Sequence, residues 1–273
     1  MTELVKRSIS GTVFVVLTVA CLFNKYAFGV YFALVMVAML WEFYAMTVGE
    51  RHMQARLLAI AAAVTAFVLS YMCFAFAMPP KYISLALLPV LLIMISEVFA
   101  KDKDGIESVS HIFGGLLYIA LPVVFSPVLV FVEGGFCALT LLSFFIIIWC
   151  ADVGAYCLGT AFGQKPGSLK LCPSISPKKS WIGVGGGLLF AVVAALALHY
   201  AGLLGVGLWH SVVLGVILMV GGVFGDLYES LWKRHYGIKD SGNIIPGHGG
   251  ILDRFDSSLI AIPLAAIYYF LAV

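Results

Sequence analysis

The sequence predicts an all-α integral membrane protein, a polytopic bundle of about nine transmembrane helices. Residues of the hydrophobic class make up 62% of the 273 residues, only 11% are charged, and the mean hydropathy is +1.07. Soluble domains run near half apolar and a quarter charged, so this composition excludes a water-surrounded fold. Apolar runs recur along the whole chain at close to the ~20 residues that cross a ~30 Å hydrocarbon layer. No stretch is long and polar enough for a separate soluble domain, and no fixed-period repeat is present.

The first run, 8–24, follows a short charged start and superficially resembles a secretory signal. No small-x-small cleavage site closes it, and Val19-Ala20-Cys21 lacks the Leu usual at a lipoprotein site, so it is read as the first span. The remaining spans are expected at 27–48, 56–78, 82–100, 111–132, 137–162, 181–204, 207–228 and 256–273. Glu42 and Glu97 fall late in their runs, where a carboxylate can reach the membrane interface, and that placement is preferred to catalysis. Gly183, Gly185, Gly186 and Gly187 open the seventh span and predict close helix packing. The six cysteines form no CxxC pair and are read as small buried hydrophobes.

Nine crossings put alternate loops on one side. With the N-terminus, 49–55, 101–110, 163–180 and 229–255 placed together, fourteen of the sixteen Lys and Arg residues share that side, loop edges included. Only Lys25 and Lys81 face the other way. This asymmetry predicts a cytoplasmic N-terminus, an outside C-terminus and polar loops that open to the cytoplasm, where nucleotides are found. The polar motifs divide the chain into N-terminal transmembrane helices, 1–110, and a transmembrane catalytic region, 111–273, that carries the motif loops.

Three polar constellations interrupt the apolar sequence. The first is Asp152–Gly163, in which Asp152, Tyr156 and Gly159 share one face if helical; a carboxylate in such an apolar run needs a cation or a metal beside it. The second is Ser174–Gly183, where Lys178 and Lys179, flanked by Ser176 and Ser180, open the seventh span. A helix N-terminus with two point charges suits phosphate, and a lipid-bound topogenic Lys pair is the plainer alternative. The third runs from Gly225 to Asp256. Asp226, Glu229 and Ser230 have helix spacing at the end of the eighth span, and Asp253 and Asp256 stand three apart at the start of the ninth. Hard carboxylate oxygens from two helices suit Mg2+, while Gly247, Gly249 and Gly250 admit a ligand closely and His248 and Arg254 offer donors.

These residues carry a resemblance. Ser230, Lys233, Arg234, Lys239, Asp240, Gly242, Pro246, His248, Gly249, Gly250, Asp253, Arg254 and Asp256 fit the signature of the phosphatidate cytidylyltransferases, or CDP-diacylglycerol synthases. The Asp152–Gly163 segment and Ser176-Pro-Lys-Lys179 match further elements of that family, so the resemblance covers roughly the C-terminal half. Three positions depart from it: Trp232 stands for an aliphatic residue or Phe, Ser180 for Thr, and Ile182 for a Glu.

The resemblance implies that CTP and phosphatidate give CDP-diacylglycerol and pyrophosphate in phospholipid synthesis at the cell (inner) membrane. It also implies Mg2+, a monovalent cation such as K+ beside it, and a homodimer; no nucleic acid is expected as partner. It assigns Mg2+ to Asp226 and Asp253, with Asp256 and Asp152 as further partners, and groups Asp226, Asp253, Lys178 and Lys179 as catalytic. Ser176, Ser180, Lys233, Arg234, His248, Gly249, Gly250, Arg254, Asp152 and Tyr156 would then bind substrate. Two other readings stand beside it: a CTP-dependent lipid kinase, and a cation-coupled transporter with Asp152 and Asp226 on the ion path.

Overall fold

The computed structural model describes residues 3–50, 52–99, 105–132, 135–247 and 249–272. Arg51, Lys101, Lys103 and His248 lie outside the described residues, as do the side chains of Lys6, Arg7 and Glu97. Ten α-helices are described: α1 Glu3–Cys21, α2 Lys25–Thr47, α3 Met53–Phe76, α4 Leu87–Val98, α5 Gly105–Gly115, α6 Leu121–Val130, α7 Leu139–Ala161, α8 Trp181–Tyr200, α9 Leu208–His235 and α10 Leu252–Ala272. Two short strands, β1 Lys170–Cys172 and β2 Ser176–Ser180, form an antiparallel hairpin between α7 and α8.

Seven helical stretches are long and apolar enough to cross a membrane: α2, α3, Glu107–Val130, and α7 to α10. Two shorter apolar helices, Ile9–Cys21 and Pro80–Ser96, correspond to the first and fourth expected spans. The chain is therefore an all-α integral membrane protein, with nine apolar helical stretches among the described residues.

Local chemistry sets the helix ends. The Asn24 side chain accepts from the amides of Tyr26 and Ala27 at 2.9 and 3.1 Å and so starts α2. Ala77 takes a left-handed φ of 54° at the end of α3, and the prolines at 79 and 80 prevent the helix from continuing. A 3₁₀ turn, Pro80–Ala86, leads into α4. Between α5 and α6 the chain widens into a π turn, Leu116–Ala120, just ahead of Pro122, which has no amide to donate to the preceding turn.

Two compact units are formed, one from Met1–Cys137 with Asp240–Arg254, the other from Ala138–Lys239 with Phe255–Val273. In the first, the buried Tyr44 hydroxyl donates to the Ile112 carbonyl at 2.9 Å, and Gly115 leaves room for the Tyr44 ring. Arg56 is buried, stacks over Trp41 at 4.6 Å and donates to the Gly49 carbonyl.

In the second unit α7 and α8 pack nearly backbone to backbone. A Cβ on Gly186 would lie 2.6 Å from the Gly154 carbonyl oxygen, and one on Gly154 would lie 2.6 Å from that of Gly186. Gly183 and Gly187 stand similarly close to the α7 backbone, whereas Gly185 faces open space. The expected close packing therefore holds at three of the four glycines. Gly186→Ala should destabilise the detergent-solubilised protein by about 1–3 kcal/mol through overpacking. Gly185→Ala should be neutral or slightly stabilising, because alanine is the better helix former. Paired thermal melts check this; equal shifts for the two variants would contradict it.

No cysteine is paired, and Cys137 and Cys157 are exposed. Burial was expected of them, but an apolar membrane surface accepts a small sulfur-bearing side chain as readily as a core does.

Candidate active site

In the second unit three motif segments meet. The Lys-Lys element is a strand, not the first turn of a helix. β2 pairs with β1 in the register Lys170–Ser180 and Cys172–Ser176, and Ser180 ends it as the N-cap of α8, accepting from the Gly183 amide at 3.2 Å. The segment after α7 anchors the hairpin. Gln164 donates to the Lys178 carbonyl at 2.7 Å, and the Lys170 ammonium donates to Gly163 and Gln164 at 2.9 Å each. Gly163 has to be glycine here, since a Cβ would sit 2.0 Å from the Ser180 hydroxyl.

Successive side chains on a strand point to opposite faces, so the adjacent lysines diverge. Lys178 is exposed; the Lys179 ammonium lies 2.7 Å from Asp226 Oδ2. Ser230, one turn further along α9, donates to the other oxygen of Asp226 at 3.1 Å. Asp226 thus binds a cation and a hydroxyl while remaining 37% exposed, open enough to meet a ligand.

Gly225 brings this carboxylate against α10. Its Cβ would lie 2.4 Å from the Asp256 carbonyl oxygen, so only glycine lets α9 approach so closely. The charges of Asp226, Asp152 and Lys233 all act on Asp256, whose Oδ1 accepts from the Ser257 amide at 2.6 Å. Asp152 and Tyr156 are exposed on α7, while Gly159, on the same expected face, packs against Gly183. Lys233 is buried and ion-paired to the buried Glu229 one turn earlier. Arg234 is exposed and donates to the carbonyls of Ile175 and Ile238, tying the β1–β2 turn to the end of α9. Ser176 is half-buried at the start of β2, and Ile182 is exposed in the first turn of α8.

In the first unit Asp253 is held within its own loop. Its Oδ2 accepts from the Ser241 amide, the Ser241 hydroxyl and the Gly250 amide at 2.9, 3.0 and 2.8 Å. Gly249 adopts φ +82°, and a Cβ there would meet Asp253 Oδ2 at 2.6 Å. Arg254 is exposed. Glu42, expected at the membrane interface, is instead 4% exposed; its carboxylate accepts from the amides of Ile251 and Leu252. Ordered donors compensate for burying it, as a carboxylate in an apolar helix requires. Glu42 is the residue the motif reading missed; Glu229, grouped there with Asp226 and Ser230, was not paired with Lys233. The Glu229–Lys233 spacing of four was a usable signal; Glu42 offered none.

Among the described residues no group of three or more His, Cys, Asp and Glu side chains is arranged to hold a metal. Mg2+ asks less than a full protein cage, because one or two carboxylates suffice when substrate phosphates and water complete the shell. The all-oxygen pair Asp226 and Asp256 fits that demand.

The sequence profile of the cytidylyltransferase family matches residues 5–272. This chain belongs to the cytidylyltransferase family. It is 46% identical over 134 residues to a phosphatidate cytidylyltransferase of Haemophilus influenzae, a match covering 48% of this chain and 45% of that protein. It is 44% identical over 128 residues to the Bacillus subtilis protein of the same name, 47% of this chain and 45% of the relative. A Staphylococcus aureus relative, again so named, is 46% identical over 123 residues, 45% of this chain and 46% of its own. The chain thus spans about half the length of the curated family members it matches.

Proposed function

We propose that the chain transfers the cytidylyl group of CTP to phosphatidate, giving CDP-diacylglycerol and pyrophosphate. The observation that carries this reading is the contact between Lys179 and Asp226, at 2.7 Å, beside Asp256. It joins the segments expected to bind phosphate and metal, and family membership supplies the reaction class. A phosphatidate oxygen attacks the α-phosphorus of CTP, a new P–O bond forms, and the bond to the β-phosphate breaks with pyrophosphate leaving. Both reactants are anions, so charge screening and positioning are the main tasks of the protein. No general base is required, because a phosphomonoester loses its second proton at about pH 6.

In this account Asp226 and Asp256 hold Mg2+ with Asp152, whose charge also acts on Asp256, and Asp253 is proposed as a further Mg2+ partner from the family resemblance. Bound Mg2+ would neutralise phosphate charge and polarise the P–O bond that breaks; a monovalent cation such as K+ is proposed beside it. Asp226 keeps the Lys179 ammonium in place for a phosphate oxygen. Lys178, Arg234, Arg254 and His248 draw in the anionic substrates. Ser176, Ser180, Gly249, Gly250, Lys233 and Tyr156 shape the substrate region. The excess of Lys and Arg on one side supports a cytoplasmic site in the inner membrane, with the N-terminus inside and the C-terminus outside. The homodimer is proposed from the family resemblance.

Mass spectrometry of the products formed by purified protein with CTP, phosphatidate and Mg2+ tests the reading. CDP-diacylglycerol that requires both substrates is expected. CDP with a newly phosphorylated lipid alcohol would instead indicate a kinase, and ion flux into proteoliposomes without CTP a transporter.

A further inference from the structure

We propose that Glu42 is a positioning residue for cytidylyl transfer: it holds the 241–252 loop and, through that loop, the orientation of Asp253. This rests on the function proposed above. Glu42 sits on α2, about two hundred residues from its partners in the sequence. Its Oε1 accepts from the Ile251 amide at 3.0 Å, and its Oε2 from the Leu252 amide at 2.9 Å and the Ser241 hydroxyl at 3.2 Å. The two amides belong to the opening of α10, where helix amides lack internal partners and an anion is favoured.

An N-terminal cap alone would not call for this arrangement, since a local Ser, Thr or Asp supplies one. Here one serine is gripped by two acids. The Ser241 hydroxyl has a single hydrogen and lies within bonding distance of both Glu42 Oε2 and Asp253 Oδ2. Asp253 Oδ2 also takes the Ser241 and Gly250 amides, so the loop backbone fixes the orientation of the Asp253 carboxylate. The loop is shaped around the Glu42 carboxylate. A Cβ on Gly242 would lie 2.5 Å from Glu42 Oε1, and one on Gly250 would lie 2.4 Å from Oε2. Moving Glu42 therefore moves the backbone that aims Asp253.

The test compares full-length wild type, Glu42→Gln and Ser241→Ala in detergent, reading kcat and KM separately together with amide hydrogen exchange. Gln keeps one carbonyl acceptor and turns an NH2 towards a backbone donor. Glu42→Gln should lower kcat at least tenfold, change the KM for CTP less than threefold, and speed exchange across 241–252 while leaving the other helices unchanged. Ser241→Ala should lower kcat at least threefold, and the double variant should lose less than the product of the two single losses. If loop exchange accelerates but kcat stays within twofold of wild type, Glu42 is a cap and the proposal falls; unchanged exchange also overturns it. Should Glu42→Gln fail to fold, Ser241→Ala decides by the same criteria. A wild-type protein that makes no CDP-diacylglycerol sinks the proposed function instead, and the exchange data still show whether Glu42 holds the loop.

Discussion

Asp226→Asn should reduce CDP-diacylglycerol formation by about 10²–10³-fold, the scale seen when one preorganised electrostatic group is removed from a reacting centre. The substitution keeps size and shape, and Asn can still accept from Ser230. What it removes is the negative charge that holds the Lys179 ammonium at 2.7 Å and, in the proposed function, binds Mg2+. The fold should tolerate the change. Both partners are partly exposed, and such ion pairs contribute about 0–1 kcal/mol. The variant should therefore insert, purify and melt like wild type while losing turnover, which separates a chemical role from a structural one. Turnover within tenfold of wild type would remove Asp226 from the centre of the mechanism.

Lys179→Ala should cost about a hundredfold in kcat, whereas Lys178→Ala should act mainly on KM, raising it several-fold. The sequence presents these lysines as an equivalent pair. The strand separates them, because neighbouring side chains on β2 face opposite ways, and Lys179 alone reaches Asp226. An exposed lysine outside the reacting cluster steers anions and affects encounter more than the chemical step. Lys179→Arg should recover only part of the loss, since a planar fork does not replace a compact ammonium. Steady-state kinetics with each substrate varied in turn check this. A larger kcat loss at Lys178 than at Lys179 would reverse the assignment.

The membrane bundle was legible because its cause is local: each apolar run follows the helix beneath it. The motif residues could be recognised for the same reason, as charges concentrated in an apolar chain. The hairpin could not be read that way. Its strands have three and five residues and lack the alternation that announces a half-buried strand, so Ser176–Ser180 resembled the start of a helix. The partner of Lys233 was not read either: it is ion-paired to Glu229 four residues back, a spacing that was in the sequence. Glu42 was the least legible. Its partners lie 199 to 210 residues away, and a carboxylate late in an apolar helix has the same sequence signature whether it reaches the interface or is buried on a distant loop.

The central claim is that the α-phosphorus of CTP is transferred to phosphatidate. Purified protein supplied with phosphatidate, Mg2+ and CTP labelled at either the α or the γ phosphorus tests it directly, by the label recovered in the lipid extract. The account predicts α-label in the lipid and γ-label released as pyrophosphate, with both slowed about 10²–10³-fold in Asp226→Asn. Recovery of γ-label in the lipid, or no transfer of either label by the wild-type protein, would contradict it.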